Sequence, residues 1–213
     1  MSEEFTYEFG ECASRLETYE WDNIWWEKPG DISKKRVLII GDSISCGYRE
    51  FVNEKFNAEI YADGFGTSKA LDNGAYEKAL EYMAAQYSGY EAVQFNNGLH
   101  GWHLSDEEYK MYYLKLVKLI KRFFPKARLI IALTTPARNR ENPEEMSPRT
   151  ERIIARNRAA KEIALFMGAK LNDLYSVLID KPEVYRDDGV HLKEAGYRLL
   201  ADSCVECFGS CIK

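Results

Sequence analysis

The amino-acid sequence predicts an α/β protein, a three-layer α/β/α sandwich around a central, mostly parallel sheet of about five strands. Apolar runs of only four or five residues alternate with longer segments of helical periodicity over most of the chain. The apolar runs lack the polar alternation of a half-exposed strand, which is typical of parallel strands buried on both faces. Strands that alternate with helices form right-handed βαβ units and bring helices to both faces of the sheet.

Five short segments are the predicted strands. They are Val37–Ile40, Ala58–Tyr61, Ala92–Phe95, Leu129–Leu133 and Lys170–Leu174. The predicted helices cover residues 45–56, 74–86, 105–124 and 149–167, and a last helix starts near residue 193. Ser105 and Glu108 have the spacing of a capping box at the start of the third helix, and Pro125 ends it. The glycine-rich segment 64–68 and residues 137–149 are predicted loops.

Composition limits the class of protein. The chain has 213 residues, enough for one large domain. We expect residues 1–34 to be an N-terminal extension packed on a domain of residues 35–213. The net charge of −5 and the lack of a basic stripe argue against a nucleic-acid partner. No apolar run approaches the roughly 18 residues that span a bilayer. The acidic N-terminus lacks the features of a secretory signal, so we expect a cytoplasmic protein.

Three of the five cysteines cluster near the C-terminus, at Cys204, Cys207 and Cys211. Their spacing fits either a metal site or one side of a helix. No fourth cysteine or histidine lies nearby in the sequence, which favours packed thiols. We therefore expect neither a metal ion nor another cofactor.

Two short motifs carry the chemistry. Ser43 follows the first predicted strand directly, within Gly41-Asp42-Ser43, and Asp188 precedes His191 by three residues. A serine hydroxyl needs a base to become a nucleophile, and an imidazole oriented by a carboxylate supplies one. The alternative is structural, since serine is a favoured helix cap and the Asp188 segment could be a simple turn. Together the motifs predict nucleophilic acyl transfer by Ser43, His191 and Asp188.

The chain resembles the SGNH hydrolases, also called GDSL-type esterases, whose sandwich is flavodoxin-like. Gly41-Asp42-Ser43-Ile44 is similar to the family's first block, and Asp188-Gly189-Val190-His191 to its last block. The resemblance implies that Ser43 is the nucleophile, His191 the base and Asp188 its orienting acid. It also implies that the backbone N–H groups of Ser43 and Gly66 help to form an oxyanion hole.

The third block departs from the usual Gly-x-Asn-Asp and resembles a branch with Asn-x-Gly-Leu-His. Here the chain has Asn96-Asn97-Gly98-Leu99-His100. Aligning the glycines puts His100 where the family carries its oxyanion-binding asparagine. An imidazole N–H can donate to an oxyanion as an amide does. Asn96 and Asn97 are the alternative donors.

Further polar and aromatic residues near the predicted strand ends are weaker candidates for substrate contacts. They are Asp42, Trp102, His103, Thr135 and Arg138. Arg138 and the nearby Arg140 could bind an anionic group or lie in a solvated loop. Trp102 could stack on a sugar or pack on the domain.

The sequence thus predicts a serine esterase that needs no cofactor and acts on a small-molecule ester. Resemblance to the family implies short acyl groups, acetyl above all, with carbohydrate esters among the expected substrates. A lysophospholipase or thioesterase that accepts longer acyl chains is the alternative enzyme. A ligand-binding module without catalysis is the alternative outside enzymes, and the altered third block favours it. No glycine-rich phosphate loop follows the first strand, which excludes the usual nucleotide-binding domains.

Overall fold

The computed structural model describes residues 15–212. Within this range the chain forms one mixed sheet. Its strands are β1 (Asp22–Trp25), β2 (Lys35–Gly41), β3 (Ile60–Thr67), β4 (Ala92–Phe95), β5 (Arg128–Ala132) and β6 (Lys170–Asn172). The order across the sheet is β1-β3-β2-β4-β5-β6. Strands β2 to β6 are parallel, whereas β1 pairs antiparallel with β3 at one edge. The predicted fold class is confirmed, with one edge strand more than expected.

Helices cover both faces of this sheet. They are α1 (Ser43–Phe56), α2 (Gly74–Gln86), α3 (Asp106–Phe123), α4 (Arg149–Met167), α5 (Leu174–Leu178) and α6 (Glu194–Gly209). Successive side chains of β2 point to opposite faces, as strand geometry requires. Val37 and Ile39 pack with α1 and α6, while Leu38 and Ile40 pack with α2, α3 and α4. The three-layer arrangement follows directly from this strand being apolar on both sides.

The predicted helices agree with the structure to within two residues at their starts. The capping box at the start of α3 is present: Ser105 accepts from the N–H of Glu108, whose carboxylate accepts from the N–H of Ser105. The short helix α5 and a 3₁₀ turn at Pro182–Val184 lie where the sequence predicted only a loop.

The prediction for β3 was wrong in extent. The strand was placed at 58–61 with a loop at 64–68, but it runs from Ile60 to Thr67. Its glycines mark close approach of α1, not a turn. A Cβ on Gly64 would lie 2.5 Å from Cδ of Arg49, and one on Gly66 would lie 2.2 Å from Sγ of Cys46. Glycine in a strand often has this role.

Strand β1 was not predicted. It lies in the segment 1–34 that we interpreted as an extension, and its register pairs Asp22 with Thr67 and Trp25 with Gly64. Residues 1–14 lie outside the described range, so the division into an extension and a domain stays a prediction. No helix within residues 15–212 is both long and apolar enough to cross a membrane.

A buried ion pair holds β2 and β3 together at the end of the sheet where β2 begins. The carboxylate of Asp63, fully buried, accepts from Nε of Arg36 at 2.8 Å and from Nη2 at 2.6 Å. It also accepts from the hydroxyl of Tyr90 at 3.1 Å and from the N–H of Glu27 at 2.8 Å. Glu27 follows β1, so this carboxylate links the edge of the sheet to its interior.

We expect Asp63→Asn to lower the free energy of unfolding by about 3–5 kcal/mol, because it leaves the buried guanidinium of Arg36 without its counter-charge. Asp202→Asn is the matched control. Asp202 pairs with Lys55 at 2.6 Å, but its side chain is 62% exposed. We expect that substitution to cost at most about 1 kcal/mol. Denaturant unfolding measures both. Equal effects of the two substitutions would contradict the structural role of Asp63.

Candidate active site

Ser43 is the first residue of α1, directly beyond the carboxyl end of β2. Asp42, not Ser43, caps the helix: its Oδ1 accepts from the N–H of Ile44 at 3.0 Å. Asp42 therefore has the helix-capping role that was the structural alternative for Ser43. The side chain of Ser43 is not used as a cap, and its own N–H belongs to the first turn, where backbone donors have no partner within the helix.

A tight turn before α6 presents the acid and the base. Oδ1 of Asp188 accepts from the N–H groups of Val190 and His191, both at 2.8 Å. Gly189 has a φ of +70° in this turn, a conformation that favours glycine. The N–H of Arg138 donates to the carbonyl of Gly189 at 2.7 Å. The turn is therefore fixed both internally and by the loop that follows β5.

His191 connects the two motifs. Its Nδ1 lies 2.7 Å from Oδ2 of Asp188, and its Nε2 lies 2.9 Å from Oγ of Ser43. The structure thus brings together the three residues that the sequence singled out, in one chain of hydrogen bonds. In this geometry the carboxylate orients the ring and the other ring nitrogen faces the serine hydroxyl. Such an arrangement can take a proton from the hydroxyl and return it.

The two carboxylates near Ser43 differ in their electrostatics. Partial burial alone would raise the pKa of Asp188, but the N–H groups of Val190 and His191 and the imidazole outweigh it, so that its pKa is lowered. Complete burial raises the pKa of Asp42, against the opposing effect of His100 and His191. Oδ2 of Asp42 is buried without a hydrogen-bond partner. Asp188 is therefore the carboxylate suited to stay ionised beside His191.

Gly66 does not fit the predicted role of oxyanion donor. It lies within β3, opposite Asn23 of β1, and the N–H of Ser68 donates to the carbonyl of Trp21 in the same ladder. Hydrogen-bonded pairs alternate along an antiparallel ladder. The next such pair is Asn23 with Gly66, so the N–H of Gly66 faces β1. The assignment of Gly66 to a loop was wrong, because it lies within β3, and this geometry argues against the predicted role.

Asn96 and Asn97 are also unsuited as donors. The side-chain amide of Asn96 donates to the carbonyl of Ala132 at 2.7 Å and to Oγ1 of Thr134 at 3.0 Å. Asn97 is fully buried, and its amide donates to the carbonyl of Lys69 at 2.9 Å. Both amides hold neighbouring loops together. Of the three predicted donors in the third block, His100 alone keeps a partly exposed side chain that is not committed in this way.

Two arginines of α4 hold the loop that carries His100. The guanidinium of Arg156 donates to the carbonyls of Gly98, His100 and Gly101 at 2.6–3.0 Å. Arg152 donates to the carbonyls of Trp102 and Leu104. Sequence reasoning missed both residues, because a helical arginine normally indicates a solvated face. Their signal was the loop itself, a long irregular segment whose carbonyls need donors.

The guanidinium of Arg156 is also stacked between two aromatic rings. It lies 4.4 Å from the ring centroid of Trp102 and 4.5 Å from that of Tyr109. Trp102 therefore packs on the domain in this structure, the second of its two predicted roles. The contact excludes water from a charge that has no carboxylate partner among the described residues.

The other weak candidates are largely occupied. Nε2 of His103 lies 2.9 Å from Oδ2 of Asp72. Thr135 is buried. Arg138, 5% exposed, donates to the carbonyls of Glu144 and Ile179 and lies over the ring of Tyr185. Arg138 is therefore neither a solvated loop residue nor free to bind a substrate directly, which corrects both of its predicted roles.

Thr135 and Asp42 line one small cavity, of about 10 Å³, together with Leu99 and Thr134. This volume accommodates about one water molecule.

Among the described residues no group of three or more histidine, cysteine or carboxylate side chains could hold a metal ion. Cys204 and Cys207 are buried in the layer formed by α1 and α6, as packed thiols would be.

Comparisons with known proteins give the family of part of the chain and its fold. The model of the GDSL-like lipase/acylhydrolase family matches residues 95–199, which include His100, Asp188 and His191. No curated protein matches the chain in sequence.

Several solved structures share the fold. The lipase/acylhydrolase from Enterococcus faecalis is 17% identical, with a TM-score of 0.68 over 84% of this chain and 97% of its own. A carbohydrate acetylesterase from Sinorhizobium meliloti is 16% identical, with a TM-score of 0.69 over 83% and 99%. An acetyl xylan esterase is 17% identical, with a TM-score of 0.64 over 80% and 98%. At these identities the likeness establishes the fold alone. The matched family model identifies a GDSL-like lipase/acylhydrolase domain in residues 95–199, and together with the shared fold it supports a carboxylic ester hydrolase of the SGNH type.

Proposed function

We propose that this protein is a serine esterase that removes short acyl groups, acetyl above all, from a carbohydrate through an acyl-enzyme. The observation that carries the proposal is the hydrogen-bond chain from Asp188 through His191 to Ser43, with distances of 2.7 and 2.9 Å. Distances of this kind are those required for proton transfer between a nucleophile and its base.

The first half-reaction forms the acyl-enzyme. Oγ of Ser43 attacks the ester carbonyl carbon while Nε2 of His191 takes the hydroxyl proton. The tetrahedral intermediate collapses, the bond to the alkoxy oxygen breaks, and His191 gives its proton to the leaving alcohol. Asp188 stays ionised and stabilises the imidazolium in between.

The second half-reaction regenerates the enzyme. A water molecule gives a proton to His191 and attacks the acyl carbon. The carboxylic acid leaves as Oγ of Ser43 recovers the proton. All atoms and protons balance without a further reactant, so the mechanism requires no metal ion or organic cofactor.

The negative charge on the carbonyl oxygen needs donors. We propose the N–H of Ser43, at the positive end of α1, and the imidazole of His100. The contacts of Arg156 with the loop support His100, since they hold the backbone on both sides of it. Gly66 is less suited, because its N–H faces β1, and the side-chain amides of Asn96 and Asn97 already donate to neighbouring groups.

One comparison supports a short acyl group. Two of the similar structures are acetyl esterases of carbohydrates by name. A lysophospholipase or thioesterase would hydrolyse long-chain esters faster than acetates, so a chain-length series of model esters separates it from the proposed function.

A small-molecule ester is the proposed partner, without nucleic acid. The proposed cellular location is the cytoplasm, as the sequence predicted. A ligand-binding module without catalysis is disfavoured, because such a protein has no need for a serine in hydrogen-bond contact with an oriented imidazole.

We expect Ser43→Ala to reduce kcat for p-nitrophenyl acetate by about 10⁴-fold or more, because the nucleophile is lost. The fold should survive, since Asp42 and not Ser43 caps α1. The matched control is Ser33→Ala, in an exposed turn before β2, at the other end of that strand. Steady-state kinetics and thermal unfolding test both variants. Unchanged turnover in Ser43→Ala would remove Ser43 from the nucleophilic role.

We expect the wild type to lose stability relative to Asp42→Asn as the pH rises above the ordinary carboxyl range. The folded state raises the pKa of Asp42, so it binds a proton at a pH where the unfolded chain has released it. Stability linked to such a group is present at low pH and falls as the pH rises through the folded-state pKa. Asparagine preserves the helix cap but cannot ionise.

Denaturant unfolding at pH 4.5, 6 and 7.5 measures the difference in the free energy of unfolding between the two proteins. Asp180→Asn, at an exposed carboxylate, is the matched control, and its difference from wild type should change little with pH. If the difference in the free energy of unfolding between wild type and Asp42→Asn stays constant with pH, the result would contradict a buried carboxyl of raised pKa at this position. A difference that shifts in favour of the wild type as the pH rises would contradict it as well.

A further inference from the structure

We propose that a pocket beside His191 binds an anionic group, a carboxylate or a phosphate, on the alcohol part of the ester. The inference rests on the proposed function and narrows its substrate class. The pocket has a volume of about 380 Å³, and Arg138, Arg140, Ser147, Arg149, Asp188 and Val190 contribute to its lining. We call it the arginine pocket.

The arginine pocket adjoins the proposed catalytic residues. Asp188 and Val190 both line it, and both belong to the turn that carries His191. Only the imidazole ring and its two hydrogen bonds separate the carboxylate of Asp188 from the hydroxyl of Ser43. A group bound in the pocket would therefore lie near the ester carbonyl, as a second substituent on the same sugar or on an adjacent sugar does.

The charges in the pocket are unbalanced toward the positive. Arg138, Arg140 and Arg149 face two acids, Glu141 and Asp188. The carboxylate of Asp188 already accepts three hydrogen bonds, one from His191 and two from backbone N–H groups. Within residues 15–212, none of the three arginines forms an ion pair. The three arginines therefore give this part of an acidic chain, of net charge −5, a local excess of positive charge.

Arg140 and Arg149 are exposed at the rim of the arginine pocket. Nε of Arg140 donates to the backbone carbonyl of Asp188 at 3.3 Å, which leaves the terminal nitrogens of its guanidinium without a partner among the described residues. The guanidinium of Arg149 lies 5.7 Å from the ring centroid of Trp102. A guanidinium offers paired N–H donors whose geometry matches a carboxylate or phosphate. Both side chains are thus available for an anion.

Two further features make the pocket positive. Arg138 is buried with its Nε–H unpartnered, so its charge is fixed in the lining. Helix α4 begins at the pocket, and Pro148, the residue before it, provides no side-chain cap. The first N–H groups of the helix add the positive end of its dipole. The fixed charge, the helix end and the two free guanidinium groups all favour an anionic group in the same space.

The test compares three mono-acetylated sugars that differ only in the group at carbon 6: methyl glucoside, which is neutral, methyl glucuronoside, which carries a carboxylate, and methyl glucoside 6-phosphate. We expect kcat/KM to be about tenfold or more higher for at least one anionic ester than for the neutral one, as for one charge-assisted hydrogen bond. Preference for the glucuronoside alone identifies a carboxylate ligand, and preference for the phosphate ester alone identifies a phosphate.

The variants Arg140→Gln and Arg149→Gln should each reduce the ratio of anionic to neutral kcat/KM by about tenfold. Arg158→Gln is the matched control, because Arg158 is exposed on the same helix as Arg149 but outside the pocket. Its ratio should equal that of wild type. Thermal unfolding checks that each variant is folded.

Two results overturn the inference. One is that the wild-type enzyme hydrolyses p-nitrophenyl acetate and has a kcat/KM for the neutral sugar acetate at least as high as for both anionic esters. In that case the proposed esterase function stays intact. The other is a ratio that is unchanged in both Arg140→Gln and Arg149→Gln. If wild type hydrolyses none of the sugar acetates nor p-nitrophenyl acetate, the proposed function itself fails and the inference fails with it.

Discussion

The close packing of α1 against α6 is the contact on which the site depends, because it joins two segments 148 residues apart in sequence. Gly47 of α1 has no side chain where the ring of Tyr197 of α6 lies, and a Cβ there would be 2.3 Å from the ring. Further along, the rings of Phe56 and Phe208 are 6.2 Å apart. The hydrophobic layer between these helices fixes the distance between Ser43, at the start of α1, and His191, just before α6. A hydrogen bond that tolerates only a few tenths of an ångström thus relies on apolar contacts along two whole helices.

The second organising feature is a set of arginines that bind backbone instead of carboxylates. Arg152 and Arg156 hold the loop around His100, and Arg138 holds the segment after α5 through the carbonyl of Ile179. Irregular loops at the carboxyl ends of parallel strands expose many carbonyls that lack a partner in the sheet. Guanidinium groups satisfy several of them at once and leave positive charge around the site. This explains how an acidic protein can have a rim suited to an anionic substrate.

Much of the architecture could be predicted because its signals are local. The apolar runs of β2, β4 and β5 and the capping box of α3 need no knowledge of the rest of the chain. Ser43, Asp188 and His191 could be singled out because each lies in a short motif beside a strand end or a turn. Whether a hydroxyl and an imidazole meet is a property of packing, however, and no local pattern states it.

The errors have a common physical cause, the influence of distant neighbours. Gly64 and Gly66 have the composition of a loop, yet they are strand residues because α1 lies against them. Asn96 and Asn97 have the residue type of an oxyanion donor, yet Ala132, Thr134 and Lys69 take their hydrogen bonds. Arg156 resembles a surface residue of α4, yet a loop and two rings enclose it. In each case the residue type was clear and its partner was not.

The most direct measurement is the reaction of the protein with a fluorophosphonate, followed by mass spectrometry of the peptides. The reagent traps a serine only when a neighbouring base activates it. The hydrogen-bond chain predicts one adduct per molecule, on Ser43, and labelling that is at least about a hundredfold slower in Asp188→Asn, where the ring loses the carboxylate that orients it. No adduct on Ser43 in the folded wild-type protein, or equal labelling rates in the two proteins, would contradict an activated serine at this site.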